Sequence, residues 1–261
     1  MKKLIVAMVA FPLVVLLYAC VSRNPQLTET PAAVGTATRV ALSTASAEVS
    51  LTPSPEVSEA VFIKGGVATL GRTEKEVEED YQDCLAMAGR TNQAASICEP
   101  KDSVFGDRPL RTMWKVEAFR LDIYEAHDSN GYPLIVHYDE AVKACQEKGG
   151  RLPTEEQWEF AARGEEGRMW PWGNSPPTAD KANIDTVGGY SDNRVQKVGQ
   201  YEAGKTPEGV HDMVGNVWEW VEGGMRKGGS AGSYVVFTKP SHMTSDSQAG
   251  FRCAYDAPPN S

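Results

Sequence analysis

Five cysteines stand at positions 20, 84, 98, 145 and 253, and four histidines at 127, 137, 211 and 242. A thiolate is the side chain suited to holding a soft metal ion or attacking a disulfide, and an imidazole the one that moves protons near neutral pH. Neither type clusters here. The four histidines share no ligand spacing such as His-x-x-x-His, and no cysteine lies between Cys145 and Cys253. Scattered histidines of this kind read as ordinary residues. The odd number of thiols is the unusual feature, because pairing leaves one over as a candidate reactive group.

The chain that must position these groups has 261 residues, enough for one large domain or two small ones. With 41% hydrophobic and 23% charged residues it is neither a disordered, a collagenous nor a polytopic membrane chain. Its net charge is −9 and no Lys/Arg cluster is longer than the pair Lys2-Lys3, so nucleic acid is excluded as a partner. Met1-Lys2-Lys3 followed by sixteen uncharged residues, Leu4 to Ala19, has the form of a signal peptide over residues 1–19, too short to span a bilayer comfortably. Leu17-Tyr18-Ala19-Cys20 resembles a bacterial lipobox, in which Cys20 becomes the lipidated N-terminus; the alternative is a plain secretory signal. Cleavage removes Lys2 and Lys3 and leaves a still more acidic chain, so attachment to the membrane must come from acyl chains rather than charge. Val21 follows, with no Asp of the kind that retains lipoproteins at the inner membrane, and the expected location is the outer membrane or cell surface.

Residues 20–60, rich in Thr, Ser, Ala and Pro and free of aromatic residues up to the last of them, read as a tether. Thr73-x-x-Glu76 has the form of a capping box opening a helix through about Ala88. Cys84 lies on that helix, and Cys98, fourteen residues on, suits a local disulfide; two free thiols are the alternative. From Met113 to Ala254 the pattern is short strands, two helices and long Gly-rich loops. Val116 to Ile123 reads as a strand. Tyr138 to Glu147 places Ala141, Val142 and Cys145 on one helical face, with Gly149-Gly150 as a stop. A second capping box, Thr154 with Gln157, opens a helix that turns Trp158, Ala161 and Ala162 inward. All six tryptophans fall between Trp114 and Trp220, which assigns the core to that region.

The run Gly149-Gly150-Arg151-Leu152-Pro153-Thr154-Glu155-Glu156-Gln157-Trp158-Glu159-Phe160-Ala161-Ala162-Arg163-Gly164 resembles the signature of the formylglycine-generating-enzyme (sulfatase-modifying factor) family. Trp170-Pro171-Trp172-Gly173-Asn174, Ala182-Asn183-Ile184, Asp212 to Trp220, Lys227-Gly228-Gly229-Ser230 and Gly250-Phe251-Arg252-Cys253-Ala254 follow in the family's order. The resemblance implies an α+β, C-type-lectin-like fold, loop-rich with short strands and two to three helices, over residues 61–257 with a tail at 258–261. It also implies a disulfide between Cys145 and Cys253, while a second family disulfide has lost both ends, at Ala162 and Met243. The family's oxidases hold copper with two cysteines shortly after Gly-Gly-Ser. Those positions are Ser233 and Thr238 here, and hydroxyls do not replace thiolates around a soft ion. No catalytic residue is therefore expected. Asp212, Met213, Gly215, Val217 and Glu219 match a calcium site of the family through two carboxylates and three carbonyls. The alternative for them is a buried turn whose Asp and Glu accept hydrogen bonds. Asn183 and Ile184 match part of a second calcium site with no recognisable remainder. Structural calcium is thus the one cofactor the resemblance suggests, and none is required.

Between Ser230 and Gly250, where the family's enzymes build their active site, the residues are small, mixed and patternless. Diversity-generating retroelements use this fold for variable binding proteins, altering positions near the 3′ end of the gene. The resemblance to such a protein makes Ala231, Gly232, Ser233, Tyr234, Val235, Val236, Phe237, Thr238, Ser241, His242, Thr244, Ser245, Asp246 and Ser247 the expected ligand-contacting set within a variable segment, 231–249. Lys239, Met243 and Gln248 fall outside the residue types that such diversification yields and read as fixed scaffold. The expected protein is a non-catalytic, monomeric surface lipoprotein whose partner is a protein or other macromolecular ligand. A degenerate loop on an inactive member, a structural envelope protein and an enzyme using another metal are the competing readings.

Overall fold

The computed structural model describes residues 60–91, 98–99, 101, 110–185, 194–233, 235, 238–240 and 247–258. The expected signal peptide, Cys20 and nearly all of the tether lie outside the described residues, and no described helix is long and apolar enough to cross a membrane.

The first described residues form a long antiparallel ribbon that keeps one register from Ala60 to Ala68. Strand β1 (Ala60–Ile63) pairs with β4 (Phe119–Asp122), and β2 (Gly66–Leu70) pairs with β3 (Arg111–Val116). Ile63 faces Phe119 and Gly66 faces Val116, so the ribbon runs on through its bend. The strand expected over Val116 to Ile123 is therefore two strands, interrupted at Glu117-Ala118. The reason is Gly65, which crosses so close that a Cβ there would come within 2.4 Å of the Val116 carbonyl oxygen. Farther along, Ala68 faces Trp114 but Leu70 faces Arg111. One extra residue on β3 makes a bulge, with Met113 in the left-handed region at φ +55° and its side chain 80% exposed.

Helix α1 (Glu74–Thr91) starts where its capping box places it. The Glu76 amide donates to Thr73 Oγ1 at 3.1 Å and the Thr73 amide to Glu76 Oε2 at 2.7 Å. Helix α2 (Tyr138–Glu147) buries Ala141 and Cys145, as the spacing requires. Helix α3 (Glu155–Arg163) is opened by reciprocal bonds between Thr154 and Gln157 and buries Trp158, Ala161 and Ala162. Leu70 of β2 and Phe119 and Leu121 of β4 complete one buried cluster with that face. Four short strands follow: β5 (Glu219–Trp220), β6 (Arg226–Lys227), β7 (Gly250–Phe251) and β8 (Ala254–Asp256). They give one sheet in the order β6-β5-β7, with β5 and β7 parallel, and add β8 to the first sheet in the order β1-β4-β8.

Both expected disulfides form. Cys84–Cys98 closes a satellite cluster with Met87 and Ala88 on α1. Cys145–Cys253 joins α2 to the residue just before β8 across 108 residues of chain. Loop-closure entropy makes so long a crosslink worth up to about 5 kcal/mol. Replacing Cys145 and Cys253 together by Ser is expected to lower the unfolding free energy by about 2–5 kcal/mol in urea melts. An unchanged midpoint at unchanged slope would contradict this.

Candidate functional site

Arg252, between β7 and β8, is fully buried, and each of its five N–H groups has an acceptor. Nε and Nη2 grip the Glu219 carboxylate at 2.7 and 2.6 Å. Nη1 reaches the carbonyls of Asp122 and Ile123 at 3.1 and 3.0 Å, and Nη2 also donates to the His211 carbonyl at 2.9 Å. Glu219 Oε2 accepts in addition from Trp158 Nε1 of α3 at 2.7 Å. Five separate stretches of chain meet on this one guanidinium and its carboxylate. Burial opposes the charge on Arg252, but Glu219 beside it, helped by Glu125 and Asp212, outweighs burial and holds its pKa above the ordinary arginine value.

Against this hub lies the loop Asp212 to Glu219. Asp212 and Asn216 both adopt left-handed backbone, at φ +58° and +56°, which Asp and Asn tolerate better than most residues. Asp212 Oδ2 accepts the Gly199 amide at 2.6 Å. Asn216 Oδ1 accepts the Gln196 amide at 2.8 Å and Asn183 Nδ2 at 3.1 Å, and its Nδ2 donates to Glu125 Oε1 at 3.1 Å. Both carboxylates of the loop accept hydrogen bonds, Asp212 from the Gly199 amide and Glu219 bidentately from Arg252. Among the described residues no group of three or more His, Cys, Asp or Glu is arranged to hold a metal. The backbone of Met213, Gly215 and Val217 is in the same turn; the Gly215 amide donates to the Gly228 carbonyl at 2.7 Å, which seats the turn on the Gly-Gly-Ser motif.

Glu125 was not visible as a site residue in the sequence. It is fully buried just beyond β4, and its Oε2 has no hydrogen-bond partner. Burial first, then the negative Asp212 and Glu219, push its pKa well above the ordinary carboxyl value, while Arg252 and Asn216 oppose this more weakly. His211, flanked by the Tyr124 ring at 5.1 Å, is held below the ordinary histidine value by burial.

The segment after Gly-Gly-Ser is described in part. Tyr234, Val236, Phe237, Ser241, His242, Thr244, Ser245 and Asp246 lie outside the described residues. Gly232 and Ser247 are exposed. Ser233 locks a turn, its Oγ accepting the Ser230 amide at 3.0 Å. Val235 packs against the Trp170, Ile184 and Val214 cluster, where Trp172 stacks on Trp170 at 5.8 Å. Two expected contact residues are corrected: Ala231 is 2% exposed and Thr238 is fully buried, so their side chains belong to the scaffold and present nothing to a ligand. The positions that would carry copper thiolates hold hydroxyls at Ser233 and Thr238. All four described cysteines are in disulfides.

A family model described as a sulfatase-modifying factor enzyme 1-like domain matches residues 78–257, and the chain belongs to that family. The α+β architecture, loop-rich with α1, α2, α3 and small sheets among the described residues, agrees with it. Over 103 residues the chain is 39% identical to the inactive C-alpha-formylglycine-generating enzyme 2 of Bos taurus, covering 34% of this chain and 32% of that one. It is 37% identical over 101 residues to the formylglycine-generating enzyme of Mycobacterium tuberculosis, covering 36% and 34%. The matched stretch thus spans about a third of these relatives. Among solved structures, PvdO from Pseudomonas aeruginosa superposes with a TM-score of 0.51 at 16% identity, covering 76% of this chain and 94% of that one, which shows the fold alone. Treponema denticola variable protein 1 overlaps at a TM-score of 0.33, covering 41% and 48%, too little to speak for a shared fold.

Glu125 supplies the test of this site's electrostatics. Burial raises the pKa of Glu125 in the folded protein well above the unfolded value of about 4.5, so folding favours its protonated form. Its stabilising effect is complete below that pH and is lost as pH rises toward the folded value. Glu125→Gln removes the loss. Relative to the parent, the variant is expected to gain stability with rising pH by up to about 1.4 kcal/mol per unit, seen in denaturant melts at pH 5 and pH 8. Parallel pH profiles for the two proteins would show that Glu125 ionises normally.

Proposed function

We propose that this chain is a non-catalytic, lipid-anchored ligand-binding protein of the outer membrane or cell surface, with its recognition surface in the segment between Ser230 and Gly250. The observation that carries the reading is the chemistry of two positions. Ser233 and Thr238 stand where the family's oxidases have copper-binding cysteines, and Thr238 is sealed inside the scaffold. A buried hydroxyl that already donates to the Val235 carbonyl at 2.9 Å offers a soft metal nothing. The relatives do not decide the matter, since one is named inactive and others are named as enzymes, a hercynine oxygenase of Mycolicibacterium thermoresistibile among them.

Binding is supported by what surrounds the segment. Its start is fastened at Ser230-Ser233 and its end at Ala249, which pairs in both directions with Val136 at 2.9 and 3.0 Å. Exposed small residues on a rigid frame are what an adaptable contact surface needs. The reading requires no metal. Its partner is a macromolecular surface ligand, and retroelement-driven variation of the segment is the means by which that surface would be retargeted. A lipid on Cys20 would anchor it to the membrane.

Two measurements test this. Purified protein supplied with copper and a cysteine-containing peptide is expected to form no formylglycine above a protein-free control; turnover would establish an enzyme. The gene from many isolates is expected to vary at exposed positions such as Gly232 and Ser247 and to keep Ala231 and Thr238. Identity throughout 231–249 would remove the case for a variable surface.

A further inference from the structure

The middle of the recognition segment is held by a buried ion cluster. Lys239 Nζ is paired with Asp80 of α1, and Asp80 Oδ2 lies 3.2 Å from Arg72 Nη1. The side chains of Asp80 and Arg72 are each 1% exposed and that of Lys239 16%, so the contact is screened from water along most of its length. The residues on either side are buried too. Thr238 sits with its methyl carbon 2.5 Å from where a Cβ at Gly229 would be, and Pro240 is buried behind Lys239. Gly229 is therefore the only residue that lets Thr238 settle there without a shift. Cys84 lies one helical turn beyond Asp80 on the same stripe of α1, and its bond to Cys98 holds down the helix that holds Lys239.

Given the recognition role proposed above, we infer that Lys239 is a positioning residue that staples Thr238-Lys239-Pro240 to α1 and fixes the base on which the rest of the segment meets a ligand. Gly232, Ser247 and Gln248, the exposed residues of the segment among those described, lie on either side of this clasp in sequence, and His137 Nδ1 lies 2.8 Å from the Ser247 carbonyl oxygen. The Thr238-Lys239-Pro240 clasp itself is silent toward ligand. Because Asp80 is buried, Lys239 cannot be exchanged for a neutral residue without leaving that carboxylate short of one of its two cations. A cation at position 239 is thus the condition under which the rest of the segment can vary on a fixed base.

The test needs no ligand, so it is separable from the recognition reading: the clasp can be sound even if the segment binds nothing. Hydrogen exchange is followed by mass spectrometry on the full chain, comparing the parent with Lys239→Ala, Lys239→Arg and the double variant Cys84→Ser/Cys98→Ser. Lys239→Ala is expected to speed exchange at least tenfold in the peptides covering Ser230 to Ala249 and leave α2 and α3 at parental rates. Lys239→Arg should restore slow exchange, and the double Ser variant should reproduce the local loosening by freeing α1. A saturation library over 231–249, sorted for protease resistance, should deplete neutral residues at 239 at least tenfold while tolerating changes at Gly232 and Ser247 within about twofold. Unchanged exchange in Lys239→Ala, or loss of protection spread evenly over the whole domain, would overturn the assignment. So would free substitution at 239 in the library.

Discussion

The buried contact between Arg252 and Glu219 is the constraint on which the rest of this structure depends. A guanidinium with five donors, all used, fixes the ends of β4 and β5, the His211 loop and the link between β7 and β8 relative to one another. Trp158 adds α3 through the same carboxylate. Burying an ion pair is not in itself a large gain, but removing one partner from such a pair costs about 3–5 kcal/mol, because the other is left charged and dry. The consequence is specificity of arrangement. Short strands of two or three residues could not hold this topology by ladder bonds alone, and the hub compensates for their brevity. Cys145–Cys253 acts on the same point, pinning the residue next to Arg252 onto α2.

Much of that frame was legible in the amino-acid sequence. Capping boxes at Thr73 and Thr154 announce two helices because their donors and acceptors are local, three residues apart. The face made by Ala141 and Cys145 is visible for the same reason. What was not legible is set by distant chain. Nothing near Val116 says that Gly65 will cross it and break one expected strand into two. Ala231 and Thr238 have the small, polar or neutral character of loop residues, yet both are buried, Thr238 because a glycine 9 residues earlier leaves room for its methyl group. Glu125 gives no signal at all, since its isolation from water depends on residues roughly 90 positions away.

The proposed binding role asks that the frame stand without the family's copper chemistry. In the loop that resembles a calcium site, Glu219 faces Arg252 and Asp212 accepts the Gly199 amide, so both acidic residues tie the frame together. The two positions that would hold copper are hydroxyls, one of them sealed beneath the surface. The segment after Gly-Gly-Ser is fastened at its start, middle and end, by Ser233, Lys239 and Ala249, and among its described residues Gly232, Ser247 and Gln248 are exposed. Rigid fastening with replaceable contacts is the physical requirement for a surface that changes partners without losing its fold.

The odd thiol count brings these points together. Cys84 pairs with Cys98 and Cys145 with Cys253, which leaves only Cys20, the expected lipid carrier, and no thiol for catalysis. The most direct measurement is a thiol titration of the unreduced protein lacking residues 1–20, native and then denatured. No reactive thiol in either state is the predicted result. One or more free thiols per chain in the folded protein would contradict it and reopen the case for an enzyme.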